Sequence, residues 1–213
     1  MLGQAGIAIE AIERVVFSHW HTDHCLDLYA LIFARRNPAC AAAPHLDLIG
    51  PRGLRSRVER APELLGSWVE DRDHSITELV ADANGCIAFE RGVLEGVGHE
   101  NGHMPHAVSW RFVTEQGLTL CYSGDSGEVE GLVCAARGAD LFLCECSFDD
   151  GHAVEHHLTP SSAGRVAEEA GVGRLVLTHF YPDLEPRLAA ARAAEHFSGE
   201  ICLAADGAAF ELG

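Results

Sequence analysis

The chain reads Ser18-His19-Trp20-His21-Thr22-Asp23-His24 immediately after a short β-branched run that predicts a buried strand. Alternate side chains of an extended segment point to the same side, so His19 and His21 can reach one metal ion. The chain then turns, which lets Asp23 and His24 face a second ion nearby. Because neutral imidazole and carboxylate are ligands that zinc prefers, this spacing predicts a metal site at the end of the strand.

Short apolar runs and amphipathic segments alternate along the rest of the chain. Strands are predicted at residues 14–18, 46–49, 108–113, 118–122, 141–145 and 174–178, with further short strands in 76–98, and helices at 24–36, 51–70, 160–170 and 186–197. The helix over 160–170 has Thr159 as its expected N-cap and Gly171 as its end. Strands and helices mixed in this order predict an α/β fold built of layers.

Three turn signals mark further boundaries. Asn84-Gly85 and Glu115-Gln116-Gly117 are typical of hairpin turns. Asp206-Gly207 predicts a third turn, around which residues 201–205 and 208–212 would pair as strands.

The charge balance limits the class of ligand. The 213 residues carry a formal net charge of −17, and all 15 basic residues are arginine. Binding along a nucleic-acid backbone needs basic surface, so broad nucleic-acid binding is not expected. A phosphate ester that a metal holds locally is still compatible with this charge. The 13 histidines, beside 3 tyrosines and 3 tryptophans, are the other unusual count.

The eight cysteines mostly lie inside apolar runs, which indicates small buried side chains rather than disulfides. No C-x-x-C pair occurs, so a zinc site built on thiolates is not expected. Reduced cysteines indicate a cytoplasmic protein. The N-terminus shows no signal-peptide pattern, and no run approaches the roughly 20 apolar residues of a membrane span, so no membrane partner is expected.

The H-x-H-x-D-H segment resembles the signature of the metallo-β-lactamase superfamily, and companion motifs follow in that family's order. They are Gly102-His103-Met104-Pro105, Tyr122-Ser123-Gly124-Asp125-Ser126, Glu145-Cys146-Ser147-Phe148, His157-Leu158-Thr159 and Leu175-Val176-Leu177-Thr178-His179. The motifs at Glu145 and His157 resemble elements of the ribonuclease Z and small-phosphodiesterase branch. The resemblance covers residues 10–213 and implies a single domain over 1–213, an αβ/βα sandwich of the metallo-β-lactamase type.

The resemblance also implies a centre of two divalent metal ions. His19, His21 and His103 would hold the first ion, Asp23, His24 and His179 would hold the second, and Asp125 would bridge the two. His106 is the alternative to His103. The ions are expected to be Zn²⁺, with Mn²⁺ or Fe²⁺ as alternatives, because histidine and aspartate sites accept all three.

The candidate catalytic residues implied by the same resemblance are Asp23, Glu145 and His157. His157 would donate a proton to the leaving oxygen, with Glu145 or a neighbour orienting its ring. His156 is the alternative donor. Glu145 has a second interpretation, in which it orients a metal-bound histidine.

Residue types at these positions separate the branches of the superfamily. His21 argues against the diiron flavoproteins, which have Glu there, and Asp125 argues against β-lactamases, which replace it. Glu145 and His157 favour a phosphodiesterase that acts on a small or cyclic phosphodiester through a metal-bridging hydroxide. A ribonuclease Z-like RNA endonuclease is less favoured, because only 22 residues from His103 to Asp125 leave no room for its long arm. A glyoxalase-II-like thioesterase and a non-catalytic metal-binding scaffold stay open.

Only 18 residues precede the H-x-H-x-D-H motif, where members of the family carry two or three further strands. The first strands of the family's sheet are therefore expected to be missing. There are three explanations: the chain is truncated, a partner chain supplies the strands, or the protein is a degenerate member that folds without them. The expected partner is a small phosphodiester substrate, and a homodimer, common in this branch, stays open.

Overall fold

The computed structural model describes residues 3, 5–70, 73–91 and 94–212. They fall into two compact units, an N-terminal unit over residues 1–80 and a C-terminal unit over residues 81–213. Each unit has its own sheet with helices, as the predicted α/β class requires. That the two units form one domain stays a prediction.

The N-terminal unit contains a three-stranded parallel sheet in the order β1-β2-β3. Its elements are β1 (Arg14–Val16), α1 (Thr22–Cys25), α2 (Asp27–Arg35), β2 (Leu46–Pro51), α3 (Leu54–Leu65) and β3 (His74–Leu79). The middle strand β2 is apolar except for Asp47 and is almost wholly buried, as expected of a strand paired on both sides. Helices α2 and α3 each bury one apolar face, which includes Ile32 in α2 and Leu54 in α3.

The C-terminal unit contains a seven-stranded mixed sheet in the order β10-β9-β8-β7-β6-β5-β4. Its strands are β4 (Cys86–Arg91), β5 (Leu94–Glu100), β6 (Val108–Val113), β7 (Thr119–Tyr122), β8 (Leu141–Glu145), β9 (Arg174–Thr178) and β10 (Glu200–Leu203), and its helices are α4 (Glu130–Ala136), α5 (Pro160–Ala170) and α6 (Pro186–Ala193). Of the helices in the described residues, none combines the length and apolarity that crossing a membrane demands.

Strand direction decides where the loops of the C-terminal unit meet. Strands β7, β8, β9 and β10 are parallel, whereas β4 to β7 pair antiparallel. Strand β5 therefore runs in the same direction as β7, β8 and β9. Because the carboxyl ends of strands with one direction share one edge of a sheet, the loops after these four strands lie along the same edge.

A continuous apolar core supports this edge. Helices α4, α5 and α6 bury small and aliphatic side chains together with residues of β7 to β9, among them Phe142, Leu175 and Leu177. The predicted limits of α5 are confirmed: the Thr159 side chain accepts a hydrogen bond from the Ser162 N–H. At the other end, Gly171 has the left-handed conformation that commonly ends a helix.

All eight cysteines are free thiols in the structure. Cys121, Cys144 and Cys146 are buried, as the apolar runs around them predicted. Burial raises the pKa of the Cys121 and Cys144 thiols far above the usual range and that of Cys146 to about 12. These three side chains therefore behave as small apolar groups.

Two of the predicted turns have a different setting in the structure. Asn84-Gly85 does form a turn, in which the Asp82 carboxylate accepts hydrogen bonds from the backbone, but it joins β3 to β4, strands of different sheets. It is not a hairpin. The turn at Gly207 is also present, but residues 208–212 form no strand. There the Glu211 carbonyl accepts from the Arg174 side chain instead of from a neighbouring strand.

Helix α4 approaches β5 too closely for any side chain at Gly131. A Cβ atom there would lie 2.0 Å from the carbonyl oxygen of Glu100. Alanine favours a helix over glycine by about 1 kcal/mol, but relief of this contact requires backbone displacement, and overpacking of this kind costs roughly 1–3 kcal/mol.

We therefore expect Gly131→Ala to lower the free energy of unfolding by about 2 kcal/mol, against its helix propensity. Denaturant unfolding measures this directly. Glu130→Ala, at an exposed neighbouring position in the same helix, should stay within about 0.5 kcal/mol of the unsubstituted protein. A Gly131→Ala variant as stable as the parent chain would show that the close approach is wrong.

Candidate metal centre

The H-x-H-x-D-H motif follows β1 in the N-terminal unit, as predicted. His19 is fully buried, and its Nδ1 lies 3.1 Å from the Ser18 hydroxyl oxygen. The His19 ring centroid is 5.0 Å from that of His21 and 4.1 Å from that of His24. Helix α1 begins directly after His21, and within it the Asp23 carboxylate lies 3.4 Å from His24 Nε2. Three imidazoles and one carboxylate are therefore grouped around a single turn of chain.

In the C-terminal unit, Asp125 lies between two of the predicted ligands. Its Oδ2 is 3.7 Å from His103 Nε2, and its Oδ1 is 3.6 Å from His179 Nε2. The three residues follow β7, β5 and β9, whose carboxyl ends share one edge of the sheet. Each oxygen of this buried carboxylate thus faces a different imidazole, which is the arrangement a bridging ligand needs.

Glu145, the last residue of β8, is 1% exposed, and its carboxylate has three partners. Oε1 accepts a hydrogen bond from the Ser126 N–H at 2.8 Å and lies 3.0 Å from His157 Nδ1. Oε2 accepts a hydrogen bond from the Ser147 hydroxyl, whose oxygen is 2.8 Å from His179 Nδ1. Both interpretations of Glu145 from the sequence therefore have a contact: it reaches His157 directly and His179 through Ser147.

These contacts fix which ring nitrogens carry protons. The Ser147 hydroxyl has one proton and donates it to Glu145, so its oxygen accepts the Nδ1–H of His179. The lone pair of His179 is then on Nε2, the atom that faces Asp125. His103 is oriented in the same way, because its Nδ1 donates to the His156 carbonyl at 2.9 Å. Both histidines thus present Nε2 as a metal ligand would.

Sequence reasoning missed Asn101, which links the loops that carry His103 and Asp125. Its side-chain amide is fully buried and donates hydrogen bonds to the carbonyls of Ser123 and Asp125 at 3.1 and 2.8 Å. Its carbonyl oxygen accepts the N–H of His103 at 3.2 Å. An asparagine two residues before the predicted ligand was the available signal. Ser147 was quoted within a motif but given no role.

The neighbouring histidines have other surroundings. His106 is 43% exposed, and its Nδ1 is 3.5 Å from a carboxylate oxygen of Glu100. His99 lies on β5 with its Nδ1 3.3 Å from the Cys86 sulfur, and burial lowers the pKa of its imidazole. Of the three, only His103 is placed against Asp125.

A model of the Beta-lactamase superfamily domain matches residues 3–180. The chain belongs to this superfamily. The uncharacterized protein Rv1339 of Mycobacterium tuberculosis is 34% identical over 191 aligned residues, which cover 88% of this chain and 69% of that protein. A ribonuclease Z of Myxococcus xanthus is 42% identical over 251 aligned positions, which cover 94% of this chain and 81% of the ribonuclease.

Solved structures of superfamily members have the same fold. The metallo-β-lactamase fold protein YhfI of Bacillus subtilis matches with a TM-score of 0.79 and 24% identity, over 95% of this chain and 79% of that one. The short form of human tRNase Z matches with a TM-score of 0.79 and 24% identity, over 100% and 83%. The predicted metallo-β-lactamase fold is thereby confirmed, and the protein is a hydrolase of this superfamily.

Proteins of this fold hold divalent metal ions, and the donor atoms here fit such ions. Ligand atoms about 2.0–2.1 Å from one tetrahedral zinc ion stand roughly 3.3 Å apart. The distances from Asp125 to His103 and His179, 3.7 and 3.6 Å, are too long for hydrogen bonds and close to this separation. A hydrogen-bonded partner on Nδ1 of each histidine is the usual support of a metal-bound imidazole.

We expect Ser147→Ala to weaken zinc binding by about 10- to 100-fold, because His179 loses the group that fixes its tautomer and Glu145 loses a partner. Competition with a chromogenic chelator measures the affinity. Ser147→Thr keeps the hydroxyl and is the matched control, so it should bind zinc nearly as the parent chain does. Equal affinities for the alanine and threonine variants would exclude the link from Glu145 to His179.

Proposed function

We propose that this protein is a metal-dependent phosphodiesterase that hydrolyses a small or cyclic phosphodiester. The observation that carries the proposal is the pairing of buried Glu145 with His157. This pair lies beside Asp125 and the two histidines that face it, His103 and His179. The His157 ring lies 4.6 Å from the ring of His103, centroid to centroid. A proton-carrying imidazole next to candidate metal ligands is what expulsion of an alkoxide from phosphorus requires.

The proposed centre holds two Zn²⁺ ions, with Mn²⁺ or Fe²⁺ as alternatives. The proposed ligands are His19, His21 and His103 for one ion, Asp23, His24 and His179 for the other, and Asp125 for both. The resemblance to the family supports this assignment, as does the way each oxygen of Asp125 faces a different histidine. When bound, such ions neutralise phosphoryl charge and lower the pKa of water to about 7.

His157 is the proposed proton donor to the leaving oxygen. Its Nδ1 donates to the Glu145 carboxylate at 3.0 Å, which leaves Nε2 to hold the proton that is transferred. The negative charge of Glu145 stabilises the imidazolium form, and its own fixed contacts hold the ring in one orientation. Phe148 packs edge-on against the same ring, with centroids 5.3 Å apart. Asp23 is the third proposed catalytic residue, as a ligand of the metal pair.

The alignment with ribonuclease Z and the charge of the chain favour a small substrate over RNA. The mycobacterial relative aligns over 191 residues that cover 88% of this chain, which leaves few gaps. The Myxococcus ribonuclease Z aligns over 251 positions, more than the 213 residues of this chain, so that enzyme has inserted segments that this chain lacks. A net charge of −17 without any lysine also gives little hold on a polynucleotide.

RNA cleavage is the second candidate function, because a ribonuclease Z is 42% identical. A substrate screen on protein of measured zinc content separates the two candidates. We expect turnover of bis(p-nitrophenyl) phosphate and of cyclic nucleotides, and little cleavage of precursor tRNA. The opposite preference would favour the ribonuclease. Turnover of thioesters alone would favour a glyoxalase-II-like enzyme, and zinc binding without any turnover would favour a scaffold.

Substitution of Asp125 and of Glu145 should separate the proposed metal ligand from the residue that orients the proposed proton donor. We expect Asp125→Ala to abolish phosphodiesterase activity, because both metal positions lose a ligand, while circular dichroism shows a folded protein. At saturating zinc, Glu145→Gln should lower kcat by about 10²- to 10⁴-fold, because the imidazolium of His157 loses its counter-charge. Unchanged turnover in Asp125→Ala would refute the two-metal proposal, and unchanged kcat in Glu145→Gln would refute the role of His157.

A further inference from the structure

A cavity of about 430 Å³ opens beside the candidate ligand His103 in the C-terminal unit. Its other walls include Glu100, Met104, Pro105, His106 and His156. The volume lies within the range of pockets that hold small molecules, roughly 300–1,000 Å³. Since His103 forms one wall, a group bound here would lie next to the proposed reaction centre.

Two walls of the cavity are histidines in a strained backbone conformation. His106 and His156 have φ of 68° and 67°, which few residues other than glycine adopt. Each is the third residue of a β-turn, closed by hydrogen bonds from Ala107 to Met104 and from His157 to Val154. Glycine or asparagine is the usual residue at that position when φ is positive.

Strain at two turns whose histidines both line one cavity indicates a functional reason for histidine at these positions. Glycine would form both turns without strain but would remove both imidazoles. The carbonyl of His156 also accepts the hydrogen bond of His103 Nδ1. The turn that supplies one wall therefore also orients the candidate ligand.

The polar groups of the cavity select the chemistry of its ligand. Glu100 is 44% exposed and brings a negative charge, and its carboxylate lies 3.5 Å from His106 Nδ1. None of the residues that the structure places in the cavity wall is an arginine. A second phosphate would therefore meet the Glu100 carboxylate with no arginine in the wall to offset its charge, whereas hydroxyl or amino groups would find an acceptor.

We propose that this cavity, formed by Glu100, His106 and His156, is the recognition subsite for an uncharged, hydroxyl-bearing nucleoside group of the substrate. The inference rests on the proposed phosphodiesterase function. Glu100 accepts hydrogen bonds from the sugar or base and repels further phosphates, so the subsite accepts mononucleotide diesters and rejects polynucleotides. Met104 and Pro105 provide the apolar surface for the base.

Three substrates with the same leaving group test the proposal: bis(p-nitrophenyl) phosphate, thymidine 5′-p-nitrophenyl phosphate and the 3′-phosphorylated form of the latter. In Glu100→Gln the kcat/KM of the thymidine substrate, relative to that of bis(p-nitrophenyl) phosphate, should fall about tenfold. Discrimination against the 3′-phosphorylated substrate should shrink as well. Glu115→Gln makes the same charge change at an exposed position in the turn after β6 and should leave both ratios as in the parent chain.

Binding of thymidine itself, followed by saturation-transfer NMR on metal-free protein, separates this proposal from the proposed activity. We expect transfer in the parent chain and in Glu115→Gln, and its loss in His106→Gly combined with His156→Gly. The same double variant should melt at an equal or higher temperature, since glycine removes the backbone strain. Loss of binding therefore cannot be attributed to unfolding.

Two results would overturn the subsite. One is thymidine binding that persists in the double glycine variant, and the other is a Glu100→Gln variant with the substrate ratios of Glu115→Gln. If the parent chain binds thymidine but hydrolyses none of the three diesters, the proposed activity fails and the subsite stands.

Discussion

The carboxylate of Glu145 is the constraint on which the candidate centre depends. A charge buried to this extent is costly unless each oxygen has a hydrogen-bond partner. The partners come from three separate loops: the backbone of Ser126, the ring of His157 and the hydroxyl of Ser147. The need to compensate one buried charge therefore fixes the positions of a candidate proton donor and, through Ser147, of the candidate ligand His179.

The sheet of the C-terminal unit makes this arrangement possible. Four strands of one direction end at the same edge, so the residues that follow them converge although they are far apart in sequence. Buried hydrogen bonds such as those of Asn101 then hold the loops at fixed distances. The strained turns at His106 and His156 lie at this edge, and backbone strain of this kind persists only where the surrounding structure holds it.

Much of this could be predicted from the sequence, because the strands are short apolar runs and the ligand types follow them directly. Residues 174–178 and His179 are an example, and the helix between Thr159 and Gly171 is another. The prediction of a hairpin at Asn84-Gly85 was wrong because it depended on which strands pair. The two residues have the composition of a hairpin turn, yet the strands on either side belong to different sheets. The sequence predicted that Glu145 could orient a metal-bound histidine, but not the contact through which it reaches one, since that contact depends on a serine oxygen that lies between two residues distant in the chain.

The central claim is that Asp125 and the histidines around it form a two-metal centre with His157 beside it. Anomalous diffraction at the zinc edge, on crystals grown with zinc, tests it most directly. We expect two peaks, one about 2.0–2.1 Å from His103 Nε2 and the other at the same distance from His179 Nε2, each also bound to an oxygen of Asp125. A single peak, or peaks away from Asp125, would contradict it.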